Sequence, residues 1–404
     1  MKKLLLGISL MLLVGGCTQP LAYQALTSTN GHLSSNETID HIDDEIVAIT
    51  NQFAFDLLHT LFIDDDNIII SPLSVQLALG MTFAGASGNT LAQFNEMMNI
   101  TTDDLHTMQK QLQLHLTNRS KAILNINNSL WIRDEYQPLV YEDFLDTVIE
   151  HYGALIAAGD FNDSAMVDSI NRWVKDTTNN KIDKAVEGPI DPLTVMFLIN
   201  TIYLNADWKS PFIKQDNVMA PFYGVTTENI TFMNQTLTTR AILDQGRIYL
   251  ELDYEDEDLM MVLIIDGDAP TTFETYQELK SKATNQSIDL FMPKFKLEYE
   301  ASLNTPLKDM GISDAFIPYT ADFSKMAQDA QTMGLHIADV LHKTFIQVDE
   351  KGTEAAAMTK VEMRLESAPI RDLTIKFDKS FTMLLVDKRE DVILFSGFVQ
   401  NLDE

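Results

Sequence analysis

Few residues in this 404-residue chain are placed to do covalent chemistry. The single cysteine is Cys17, and the eight histidines fall at no spacing that would hold a metal ion. A serine with His342 and Asp339 would be the material of a hydrolytic triad. The sharp G-x-S-x-G turn that exposes such a serine is absent, as are glycine-rich phosphate loops. An enzyme is therefore not expected, and neither a metal nor a cofactor. What remains is a segment built to be acted upon. From Thr353, alternate residues Thr353, Ala355, Ala357, Thr359, Val361, Met363 and Leu365 are small or apolar. The other set, Glu354, Ala356, Met358, Lys360, Glu362, Arg364 and Glu366, is mostly charged. This period-two pattern is that of a strand with one buried face, smallest at its leading end. Glu350-Lys351-Gly352 before it is hinge-like, with the glycine free in φ. Ser367-Ala368-Pro369 after it is poor strand material. A strand-capable segment between breakers, about 350–371, suits a loop exposed in one state and inserted in a sheet in another.

The N-terminus reads as an address. Lys2 and Lys3 precede an apolar run, Leu4 to Val14, too short to span a bilayer. Leu13-Val14-Gly15-Gly16-Cys17 resembles the bacterial lipobox. Residues 1–16 would then be a signal peptide, and Cys17, acylated by chains such as palmitate, the mature N-terminus. Thr18 in place of an aspartate favours the outer membrane of a bacterial envelope, with the periplasmic or the outer face left open. Residues 17–40, rich in Ser, Thr, Asn and Gln, read as a lipidated flexible tether. With Cys17 so used, no disulfide forms within the mature chain. The remaining 41–404 shows no linker or repeat and reads as one domain, expected to be monomeric. The net charge of −30 (29 basic against 59 acidic residues) disfavours nucleic acid and favours cationic partners.

The elements that must carry the segment are mixed. Helical spacing runs from Ile46 to Phe62. Ser71-Pro72 opens a second helix with a natural N-cap, and 168–178 is helical. Asn125 to Ile132 reads as a strand, and Val195 to Leu204 as a strand buried on both faces. Tyr249 to Ile265 reads as a hairpin with acidic residues 255–258 in a solvated turn. Further strands are expected at 288–297 and 337–349, and a closing hairpin at 381–386 with 393–399. Helices gather early and strands late, so the class is α+β.

Specific blocks sharpen this. Val348-Asp349-Glu350-Lys351-Gly352-Thr353-Glu354-Ala355-Ala356-Ala357 resembles the hinge of inhibitory serpins almost residue for residue. Asn67 to Ser74 with Gly85-Ala86 and Thr90 resembles a second family block. Others are Asn171, Trp173, Val174 and Thr177 with Lys181-Ile182, Asn200 to Tyr203 with Trp208, Pro293-Lys294-Phe295, Leu307 to Ile312, His342-Lys343, and Leu394-Phe395 with Gly397. Together they cover about 43–402. The resemblance implies a serpin-like fold: a large central sheet, further sheets, about eight or nine helices and an exposed reactive loop. It implies a suicide-substrate inhibitor that forms a covalent complex with a serine or cysteine protease. Ser71, Ser74, Asn200 and His342 would form a polar cluster that gates sheet opening, and Trp208 would stand at the breach where the loop enters. Counted from the hinge, the reactive bond is Glu366-Ser367. Counted back from the far side it lies near Pro369, and Arg364, Leu365 and Met363 are alternatives. A carrier of the same fold without inhibition is the competing reading, but such members carry charged or bulky residues where this chain has Thr353 and Ala355 to Ala357. Thr353→Arg would bury an unpaired charge on insertion. It is expected to convert an inhibitor into a substrate, seen as loss of detergent-stable protease adduct with loop cleavage retained.

Overall fold

A computed structural model describes residues 22–26, 42–63, 65–117, 119, 121–353 and 373–403. Among these the chain forms two large sheets and eight α-helices. The central sheet has seven strands. In spatial order they are β1 (Tyr23–Ala25), β4 (Leu155–Gly159), β3 (Ile123–Arg133), β5 (Met196–Asp207), β13 (Gly352–Thr353), β12 (Leu341–Val348) and β11 (Phe295–Ser302). The second sheet runs β14 (Leu373–Lys376), β10 (Thr284–Pro293), β7 (Thr227–Asp244), β8 (Arg247–Asp253), β9 (Leu259–Ile265), β15 (Phe381–Asp387), β16 (Val392–Val399) and β2 (Ile68–Ile70), with β6 (Val218–Tyr223) paired to β7. The helices are α1 (Asp44–Leu61), α2 (Pro72–Phe83), α3 (Gly88–Met98), α4 (Thr102–Thr117), α5 (Glu142–Tyr152), α6 (Ser164–Thr177), α7 (Phe273–Lys282) and α8 (Asn304–Asp309).

Sequence dictates the layering. β9, β15 and β16 are buried at every residue, as nearly unbroken apolar runs require. α2 is apolar around its circumference and packs against both β5 and β16, so it is a core helix between the sheets. Its start is fixed by Ser71, whose Oγ accepts the Ser74 N–H at 3.3 Å, and by Pro72 in the first turn. α6, through Met166 and Ile170, covers the other face of the central sheet over Trp131 and Leu155. The α+β class and the elements read from sequence stand, with four differences.

First, residues 22–26, assigned by composition to a flexible tether, form β1 on the free edge of β4. Averaging over a polar stretch hides Tyr23, which packs edge-on to Trp131 at 5.0 Å. Second, the single strand expected at 288–297 is two strands in two sheets, with Lys294 at the crossing. Third, β5 is not buried on both faces, since Met196 to Asn200 are half-exposed. Fourth, the acidic turn is not wholly solvated. Asp256 is buried, accepts the Ala122 N–H at 3.1 Å and faces Arg119, which also pairs with the buried Asp387. An unpaired carboxylate there would be costly, so turn and cation are held together.

Candidate functional site

The expected hinge lies at the middle of the central sheet. Gly352 pairs with Asp207 and Thr353 with Ala206 on one side, and Thr353 pairs with Val348 on the other. β5 and β12 are therefore two strand spacings apart at this level, roughly 10 Å. Among the described residues β5 and β12 share no ladder, and these two hinge residues are the only strand between them. A small cavity adjoins Thr353, lined by Ile202 and Leu204 of β5 and by Phe345 and Ile346 of β12. Thr353, first of the small and apolar set, is buried as the period-two reading requires. Gly352 is needed for a reason other than φ. A Cβ there would lie 2.1 Å from the Ala206 carbonyl oxygen, so only glycine lets the hinge backbone close on β5.

Polar contacts fix this entry. The Trp208 indole N–H donates to the Asp349 carbonyl at 2.9 Å, and its ring stacks on Tyr254 at 4.4 Å. Tyr254 and Thr353 share a hydrogen bond between their hydroxyls. Burial pushes the Tyr254 phenol well above its usual range, so it stays protonated and uncharged. Lys294 Nζ lies 3.0 Å from Glu350 Oε2, and Asn217 Nδ2 donates to Glu350 Oε1 at 2.7 Å. Partial burial works to raise the Glu350 carboxyl, but its own backbone N–H, Lys294 and Asn217 outweigh it and hold it below the usual range. Trp208 thus stands against the hinge, next to Asp349. Tyr254, Lys294 and Asn217 were not singled out as site residues. A lysine interrupting the apolar run at 288–297 was the available signal for Lys294. Nothing in local sequence marks Tyr254 or Asn217, because their partners are about a hundred residues away.

The four residues expected to gate the sheet do converge. His342 Nε2 accepts the Ser71 backbone N–H at 3.1 Å, and Ser71 Oγ donates to the Leu394 carbonyl at 2.9 Å. Ser74 Oγ donates to Asn200 Oδ1. Asn200 Nδ2 donates to Asn128 Oδ1 at 2.7 Å, and Asn128 Nδ2 to Gln113 Oε1 at 2.8 Å. The first turn of α2 therefore holds β5 through Ser74 and β12 through Ser71. This is a positioning network. Among the described residues no group of three His, Cys, Asp or Glu is placed to hold a metal. Glu354, Ala355, Ala356, Ala357, Met363, Arg364, Leu365, Glu366, Ser367 and Cys17 lie outside the described residues.

A seam opened between two central strands, with a small-residue hinge entering at its end, is the feature against which known proteins can be compared. The family model described as "Serpin (serine protease inhibitor)" matches residues 48–402. The chain is a serpin. An uncharacterized serpin-like protein of Methanosarcina acetivorans is 30% identical, over 88% of this chain and 86% of its own. The thermophilic serpin tengpin in its native state is 32% identical with a TM-score of 0.83, covering 94% of this chain and all of tengpin. A thyroxine-binding globulin complex with thyroxine has the same fold at 27% identity and TM-score 0.78, covering 89% of this chain and all of that one. The serpin fold expected from the sequence blocks is thereby shown, and serpins are protease inhibitors rather than enzymes as a family.

Because His342 Nε2 accepts the Ser71 N–H, the ring is neutral, and burial holds its pKa down at about 4 against 6.5 when unfolded. The unfolded state binds the proton first, so stability is complete above pH 6.5 and is lost as pH falls toward 4. The loss amounts to about 2 kcal/mol at pH 5. The thermal midpoint at one scan rate is expected to fall between pH 7 and 5, and to fall measurably less in His342→Gln.

Proposed function

We propose that this serpin is a covalent suicide-substrate inhibitor of serine or cysteine proteases, held at a bacterial envelope by lipid on Cys17. The observation that carries the reading is the placement of Gly352 and Thr353 between β5 and β12. A strand continued at that register would bring Met363 level with Met196, the far end of β5. The small and apolar set would face the core along its whole length, and the charged set would face out. The seam thus accepts the side chains this loop offers.

The chemistry belongs to the protease. Its serine oxygen, or cysteine sulfur, attacks the carbonyl carbon of the residue before the cut. The bond to the following nitrogen breaks, that nitrogen takes the proton delivered by the protease's own base, and an ester or thioester remains. Insertion of the freed strand before water attacks traps this acyl-enzyme. Thr353 and the three alanines behind it make the first part of insertion small enough to be fast. Glu366-Ser367 is the preferred bond, favouring a glutamate-specific protease, with Arg364-Leu365 for a trypsin-like one. The same resemblance supports a monomer. The lipobox and Thr18 support the outer membrane.

A panel of trypsin, a subtilisin, an elastase-like and a glutamate-specific protease decides the matter. At least one is expected to give an adduct that survives boiling in detergent, with a released peptide beginning at Ser367 or Leu365. Cleavage by every protease with full retention of its activity would instead favour a carrier role.

A further inference from the structure

The membrane anchor and the destination of the trapped protease share one pole of the molecule. Strand register establishes the first half. β1 runs antiparallel to β4, pairing Tyr23 with Gly159 and Ala25 with Ala157. The ladder is extended by Leu26, whose N–H donates to the Ile156 carbonyl at 2.8 Å. At its other end the Ala22 N–H reaches Ser169 Oγ of α6 at 3.4 Å. Gly159 is made for this contact. A Cβ there would lie 2.9 Å from the Ala22 carbonyl oxygen and 2.8 Å from Met166 Sδ. Gly159 is level with Arg133, and the Arg133 N–H donates to the Val195 carbonyl at 2.9 Å. The chain therefore enters β1 beside the start of β5, whereas the hinge sits beside its end, at Ala206 and Asp207. Eleven strand residues separate the two levels, roughly 36 Å.

Cys17 precedes Ala22 by five residues, a reach of at most about 18 Å. A leash of more than twenty residues would let the domain tumble freely, but the docking of β1 shortens it to this stub.

We infer that β1 is a strap that points the Met196 end of the central sheet at the membrane and presents the reactive loop away from it. Loop insertion, running from the Asp207 end to the Met196 end, then carries the bound protease down against the bilayer. This rests on the inhibitor and lipid-anchor readings above. Its consequence is regulatory: a protease is caught far from the surface and stored close to it, where other macromolecules have least access.

The experiment uses full-length protein purified from membranes with its lipid, in phosphatidylcholine vesicles carrying an acceptor dye on the headgroup. The donor is on the protease that gives an adduct in the panel. Energy transfer is measured for the active protease and for its catalytic-residue alanine variant, which binds the loop without acylation. Transfer is expected to rise by a factor of roughly two or more in the covalent complex, as a displacement of about 36 Å toward the acceptor plane requires. A 20-residue Gly-Ser insertion between Thr18 and Gln19 is expected to erode that rise. An adduct with unchanged or lower transfer overturns the inference while leaving the inhibitor reading intact. Absence of any adduct removes both. Should the purified protein carry no lipid, the anchor reading fails separately. Cys17, the chain's one thiol, is then coupled to a maleimide lipid, and the same rise or its absence decides the geometry.

Discussion

The structure depends on a break in the middle of its seven-stranded central sheet. Two strands, β5 and β12, are set apart by the width of one strand where Gly352 and Thr353 lie between them. Backbone N–H and C=O groups along a strand edge need partners, and an edge that lacks them will take another strand. Most proteins bury that appetite by closing or covering the sheet. Here, among the described residues, β5 and β12 share no ladder, and the hinge between them leads into a segment whose sequence alternates as a strand's would.

The surrounding contacts keep the break from closing or widening by chance. α2 and its N-cap hold β5 and β12 through Ser74 and Ser71, the first bonded to the half-buried Asn200 and the second to the buried His342. At the hinge, Glu350 is fixed by Lys294 and Asn217, and Trp208 and Tyr254 form a stacked wall against which Thr353 rests. These bonds are short-range and few, and each fixes one strand or hinge residue against its neighbour. Removing one partner would leave the other buried and unsatisfied, which is why such positions tolerate so little change.

Much of this was legible in the sequence, for reasons that differ by residue. The alternation from Thr353 to Leu365 is local, so periodicity alone exposes it. Ser71-Pro72 is a local helix-start signal, and the structure places it as read. His342, Ser71, Ser74 and Asn200 were grouped through family blocks, since no rule of spacing brings residues 71 and 342 together. Tyr254, Lys294 and Asn217 escaped because their roles arise only when three chain segments meet. β1 escaped for the opposite reason: a short strand is invisible in a window averaged over polar neighbours, and its cause, Trp131 with Gly159 on the sheet edge, lies more than a hundred residues onward. Gly352 was read as hinge-like for its conformational freedom, whereas the structure requires glycine there for close approach to Ala206.

The central claim is that the space between β5 and β12, entered by Gly352 and Thr353, is a strand position matched to the loop. Its most direct measurement is the thermal midpoint of the protein before and after a single cut between residues 363 and 368 by a protease in catalytic amount. Filling the position adds a two-sided ladder and buries the small and apolar face, so the cut protein is expected to unfold at a clearly higher temperature, on the order of several kcal/mol of added stability. A midpoint that is unchanged or lowered by the cut would contradict the account.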